Sequence, residues 1–197
     1  MEEYVKIGYI AVSEVVTQTV ETESGKSILH PFKATSEFKA NKGCLIVGRM
    51  HSGDENGSSF YMTGKPEVIL EDETNQPKVA KDIIVTLGDS VLTNTQDQSS
   101  SKFVCEPPYV FTGRIHSGDE NGPTSFYQAL LGFNSDQYLI KEETVRPTVS
   151  VNEDEGTWAY IKDYKGYYLP MTTVQHAGDE KDKSTYSFSI YSVYKKK

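Results

Sequence analysis

Cysteine and positive charge are both scarce in this chain, and each shortage closes off a class of function. Cys44 and Cys105 are the only cysteines, too few for a disulfide-stapled scaffold or a cysteine-rich zinc site, and both are expected as reduced thiols in strands. Lys and Arg number 20 against 28 Asp and Glu, a net charge of −8, so the basic surface of a general nucleic-acid binder is lacking. The closing Lys195-Lys196-Lys197 is too short to change this and reads as a frayed terminus. Apolar residues make up 37% of the chain and nowhere form a run of membrane-spanning length. Met1-Glu2-Glu3 begins neither the basic region nor the apolar block of a secretory signal, so a cytoplasmic protein, or one released without such a signal, is expected. Apolar spacing of helical period is missing throughout, as is any glycine loop of the kind that cradles phosphates or dinucleotides.

What remains is the vocabulary of strands. Tyr occurs 13 times, Val and Thr recur, and short alternating runs are separated by turn signals such as Asn41-Lys42-Gly43, Gly88-Asp89-Ser90 and Lys165-Gly166. The runs include Tyr4–Val12, Val15–Glu21, Gly43–His51, Ser59–Thr63, Glu67–Leu70, Tyr109–His116, Ser125–Leu131, Tyr167–His176 and Thr185–Tyr194. They predict an all-β single domain over residues 1–197, with little or no helix, arranged as a sandwich, barrel or trefoil-like assembly. Gln128–Leu131 reads either as one helical turn or as more of the preceding strand. The polar stretch Thr93–Lys102 reads as a loop inside the domain rather than a boundary.

The string His-Ser-Gly-Asp-Glu-Asn-Gly occurs at 51–57 and again at 116–122, with a worn third copy at 176–182. Gly48-Arg49-Met50 and Gly113-Arg114-Ile115 precede the first two copies, and Phe60-Tyr61 and Phe126-Tyr127 follow them. In the third, Val174 stands where the arginines stand, and Lys181-Asp182-Lys183 replaces the Asn-Gly turn. A second duplication sets Val68–Thr74 and Pro77 against Tyr138–Thr144 and Pro147. Three related β-hairpin units are expected, around a pseudo-threefold axis or within a sandwich, because one such unit cannot bury its apolar face alone.

Each copy should form a hairpin tip, since Asn56-Gly57 and Asn121-Gly122 accept positive φ cheaply. Strand alternation puts Arg49 with His51, and Arg114 with His116, on one face. With the acids of the loop they offer planar donors and acceptors beside aromatic rings, the groups that sugar hydroxyls and C–H faces need. The first candidate ligand-binding set is Arg49, His51, Asp54, Glu55 and Asn56, and the second is Arg114, His116, Asp119, Glu120 and Asn121. His176, Asp179 and Glu180 form a partial third. The same residues read equally as scaffolding, with the histidines capping the loops and the arginines in bidentate ion pairs that fix the hairpins.

Catalysis and cofactors find little support. His51-Ser52-Gly53-Asp54 places nucleophile and base next to each other on a hairpin, the wrong geometry for a triad. Asp54, Glu55 and Asn56 lack the spacing of an EF-hand loop, and no metal or cofactor is expected. Glu71-Asp72-Glu73 and Glu153-Asp154-Glu155 read as solvated loops. Alternation pairs Trp158 with Tyr160 on one face, with core packing favoured over a sugar-stacking platform, and Tyr186–Tyr194 reads as a half-buried strand prone to pair at an edge. The expectation is a non-catalytic, multivalent, lectin-like protein that binds glycans through its repeated tips, with homo-oligomers an option. The alternative is a structural or self-assembling protein whose repeated loops stabilise hairpins or form subunit contacts.

Overall fold

The computed structural model describes residues 3–20, 23–24, 34–53, 57–71, 76, 78–118, 122–178 and 182–197. The described chain is nearly all β. Its first part runs β1 (Tyr4–Ala11), β2 (Val16–Val20), β3 (Glu23–Ser24), β4 (Ala34–Lys39), β5 (Leu45–Ser52), β6 (Ser58–Gly64) and β7 (Glu67–Leu70). Short strands follow: β8 (Lys78–Val79), β9 (Val85–Leu87), β10 (Val91–Leu92) and β11 (Gln96–Asp97), then a single 3-10 turn at Gln98–Ser100 and β12 (Lys102–Val104). The last part comprises β13 (Tyr109–Ser117), β14 (Pro123–Phe133), β15 (Tyr138–Glu142), β16 (Thr148–Asn152), β17 (Ala159–Tyr160), β18 (Met171–His176), β19 (Lys183–Phe188) and β20 (Tyr191–Lys196).

Four antiparallel sheets result. Their strand orders are β15-β20-β1-β7-β8, β12-β18-β19-β16, β17-β5-β6-β2, and β10-β14-β13-β4-β3 with β9 and β11 also on β14. Gln128–Leu131 belongs to β14, whose pairing with β13 carries through Tyr109↔Leu130. The duplicated segments land in matching places: β7 pairs with β1 and β15 pairs with β20, so they flank the central β1–β20 pair on its two sides.

The apolar runs of the hairpin strands divide two cores. In β5, Leu45 and Val47 enter one cluster with Ile10, Val68, Val110, Leu131, Tyr191 and Val193. Ile46 between them enters the other, with Phe103, Phe111, Phe126, Met171, Tyr186 and Phe188. A strand buried on both faces reads as continuous hydrophobic sequence rather than alternation, which is why Leu45-Ile46-Val47 shows no period of two. Aromatic stacking fills the second cluster, with Phe103 on Phe126 at 4.7 Å and Phe38 on Tyr61 at 4.1 Å between ring centroids.

Three sequence expectations change form in the structure. The loss of alternation after Ile190 is a crossing between sheets: Phe188 closes β19, Tyr191 opens β20, and the buried hydroxyls of Thr172 and Ser189 bond at 2.6 Å where the chain passes. β20 then lies between β1 and β15, so it is a central strand and not an edge. Cys44 and Cys105 are free, but each sits just outside a strand, Cys44 half-buried and Cys105 fully buried, where burial pushes its thiol pKa up. Thr93–Lys102 is built into the fold, since β11 pairs with β14 and the turn after it bonds to two hairpins.

Close backbone approach selects glycine at two matched sites. A Cβ on Gly8 would collide with the Ile69 carbonyl oxygen, and one on Gly113 with the Phe38 carbonyl oxygen. Gly113→Ala should therefore cost about 1–3 kcal/mol as the β13–β4 pair is forced apart. Gly132→Ala, whose added carbon meets only Thr86 Oγ1 at 3.5 Å, should be close to neutral. Urea unfolding of the two variants checks the contrast.

Candidate functional site

The three copies of the repeated string fall on the hairpins β5–β6, β13–β14 and β18–β19. Each first strand carries a register shift two residues before the arginine position: between Ile46 and Gly48, Phe111 and Gly113, and Met171 and Thr173. The rungs that follow correspond as well, with Arg49↔Tyr61, Arg114↔Phe126 and Val174↔Tyr186, then His51↔Ser59, His116↔Thr124 and His176↔Ser184. Just beyond each histidine, Gly53, Gly118 and Gly178 take φ of 96°, 96° and 104°. That left-handed backbone suits glycine and explains its presence in all three copies.

Burial decides what these residues can reach. Arg49 is 4% exposed, Arg114 9%, His116 7% and His176 4%, while His51 is half-buried. Asp54, Glu55, Asn56, Asp119, Glu120, Asn121, Asp179 and Glu180 lie outside the described residues. The structure thus brings together the arginines and the strand residues beside them, and sets most of the histidines inside.

Arg49 is held by a residue from the far end of the chain. Its Nη1 donates to both carboxylate oxygens of Glu153, at 2.6 and 2.5 Å, and to the hydroxyl of Tyr186. The Tyr186 hydroxyl in turn donates to Glu153 Oε1, closing a ring of three buried polar groups. Burial alone would raise the Glu153 pKa; the Arg49 guanidinium and hydrogen bonds from Arg49, Ser184 and Tyr186 outweigh it and hold the carboxyl well below the usual range. Burial and then Glu153 push the Tyr186 phenol up, with the Arg49 charge opposing.

Backbone bonds fasten the same segment to the first hairpin: Gly53 N–H donates to Asp154 O at 3.2 Å and Gly156 N–H to His51 O at 3.0 Å. Glu153 therefore ties the hairpins β5–β6 and β18–β19 together.

The segment around Gln98 plays the corresponding part for the other two. Gln98 N–H donates to Gly122 O at 3.0 Å, and Gly178 N–H donates to Ser99 O at 2.8 Å. Arg114 Nη2 donates to Gln98 Oε1 at 2.6 Å. Burial, followed by the charge of Arg49, lowers the Arg114 pKa. Two histidines are fixed inside their own hairpins, His51 Nδ1 on Ser59 Oγ and His176 Nδ1 on Ser184 Oγ, both at 2.9 Å.

Glu153, Tyr186 and Gln98 are absent from the candidate sets read from sequence. Glu153 was expected in a solvated acidic loop, yet it is 5% exposed, whereas Glu155 beside it faces solvent. No local signal marks it, because its partner Arg49 lies 104 residues away. Trp158 and Tyr160 also depart from the core packing expected of them: buried Ala159 points inward, so its neighbours turn out, Trp158 half-buried against the edge of Phe60 and Tyr160 39% exposed beside Tyr168.

Clefts away from the hairpin rungs include one of about 280 Å³ lined by Lys39–Cys44 and Asp89 and one of about 660 Å³ beside Leu70 and Lys78–Asp82. Among the described residues, no group of three or more His, Cys, Asp or Glu is placed to hold a metal ion. The hairpin rungs can act chemically as a clamp, in which charge and hydrogen bonds fix three hairpins against one another.

Removing one partner of a buried ion pair strands the other, so Glu153→Gln should cost about 3–5 kcal/mol at neutral pH. The acid limb carries a further signature. The folded pKa of Glu153 lies below its unfolded value, so the unfolded chain binds the proton first. Its stabilisation is full above the ordinary carboxyl pKa of about 4.3 and is lost progressively as pH falls below that. Denaturant unfolding across this range should show a shallower acid slope in Glu153→Gln than in the native protein.

Comparison of the chain with family models, curated proteins and solved structures gives no match in any of the three.

Proposed function

We propose that this chain is a non-catalytic structural or self-assembling protein, one domain in which three related hairpins are clamped around a shared centre. The observation that carries the reading is the buried Arg49–Glu153–Tyr186 ring. Arg49 and His51, the described members of the first candidate set, are engaged with partners from the same chain, and Arg114, His116 and His176 are buried in the same region of their own hairpins. Arginine at these rungs then acts through its fork of donors, which fixes hairpin orientation more rigidly than an apolar contact.

Strand edges supply the means of assembly. β10 lies at the end of its sheet with Val91 57% and Leu92 41% exposed, and β2 ends another with Val16 64% exposed. Unpaired edges with apolar side chains favour pairing with another chain. Light scattering and negative-stain imaging of the purified protein should show defined oligomers, lattices or fibres. Monodisperse monomer over a wide concentration range would remove the proposal.

A second reading, glycan binding, is favoured by the outward aromatic face. Phe60 with Trp158, and Tyr160 with Tyr168, form two partly exposed pairs of rings, and Lys162 sits over Tyr168 at 4.4 Å. Aromatic faces stack on the C–H side of sugar rings. On this reading a glycan array gives hits that Trp158→Ala and Tyr160→Ala abolish without lowering the melting temperature, and an array at background with and without calcium rejects it.

A further inference from the structure

Among the described residues, the clamp at the hairpin rungs is unbalanced in charge. Arg49 and Arg114 are both more than nine-tenths buried, and among the described residues the carboxylate that meets them is Glu153 alone. Both oxygens of Glu153 accept from Arg49 Nη1. Arg114 has instead the neutral amide oxygen of Gln98. On Arg49 itself the Nε–H is sealed from solvent and, among the described residues, has no acceptor. A buried guanidinium without a counter-charge is costly, and so is a buried donor without an acceptor. Both deficits lie in one region, since Phe38, which pairs with Arg114 across β4–β13, stacks on Tyr61, which pairs with Arg49 across β5–β6.

We propose that a small tetrahedral oxyanion, of the phosphate or sulfate class, occupies this region and is held by Arg114 together with the Nε edge of Arg49. Guanidinium forks match such an ion, which offers enough oxygens to satisfy donors arriving from two strands at once. A carboxylate ligand has only two oxygens for the same donors. The ion supplies to the second hairpin the negative charge that Glu153 supplies to the first. Burial pushes the Arg114 pKa down and the neighbouring Arg49 adds to the effect, the field that an anion would relieve. The assignment stands apart from the structural and glycan readings above, because it concerns the interior of the clamp and not the surface.

The phosphate source is either the free ion or the terminal group of a larger molecule, and the depth of the arginines favours the free ion. The full-length protein is dialysed free of phosphate and sulfate and melted at constant pH and ionic strength against increasing inorganic phosphate. A saturable rise in melting temperature is expected, with phenyl phosphate, the bulky probe, at least about tenfold weaker. Equal potency of phenyl phosphate would assign the site to a terminal phosphate group instead of the free ion.

Gln98→Glu places a carboxylate where the neutral amide now meets Arg114. It should raise the phosphate-free melting temperature and weaken the phosphate response by about tenfold or more, whereas general salting effects of the anion would persist in it. Arg114→Lys should retain a weakened response if Arg114→Gln fails to fold. A native protein whose melting temperature does not saturate with phosphate, or a Gln98→Glu variant that responds as the native protein does, overturns the proposal.

Discussion

The Arg49–Glu153–Tyr186 ring is the contact on which the arrangement of the hairpins turns. It joins a residue from the first copy of the repeat, one from the loop after β16 and one from the third hairpin, all deep in the interior. Placing a charged pair there demands that every oxygen and most donors be met, because an unmet one carries the full cost of its lost hydration. The Glu153 carboxylate meets this demand with three hydrogen-bond partners, Arg49, Tyr186 and Ser184. That requirement fixes the angle of one hairpin to another far more narrowly than the apolar contacts around it would.

Around this ring the three hairpins are similar without being equal. Register shifts, histidine rungs and left-handed glycines coincide, while the side chains at the arginine rung differ: Arg49 with Glu153, Arg114 with Gln98, and Val174 with no charge at all. Apolar packing tolerates such divergence, since Tyr61, Phe126 and Tyr186 enter the same cluster. Electrostatics does not: among the described residues Glu153 meets Arg49, while Arg114 is met by the neutral amide of Gln98.

A repeated polar motif invites a surface reading because loops are where ligands are met. Here the described part of the motif divides by depth. The arginines belong to buried strand positions, whereas Trp158 and Tyr160, expected in the core, are half-buried and 39% exposed. Alternation was right about which residues share a face and silent about which face is inner. A two-residue strand such as β17 carries too few apolar residues to decide that by itself.

Local sequence determined the strand content and the strands on either side of each copy of the repeated string, because each rests on residues close in the chain. It also made Leu45-Ile46-Val47 legible as strand, though not as a strand between two cores. Tertiary structure alone decided that Glu153 leaves an acidic loop for the interior, that Gln98 faces Arg114, and that the chain changes sheets at Ser189 and Ile190. Those outcomes depend on pairings across 104 residues for Arg49 with Glu153 and 137 for Arg49 with Tyr186. The free energy of such a pair is set by how far water is excluded when distant segments meet, a quantity no stretch of sequence contains.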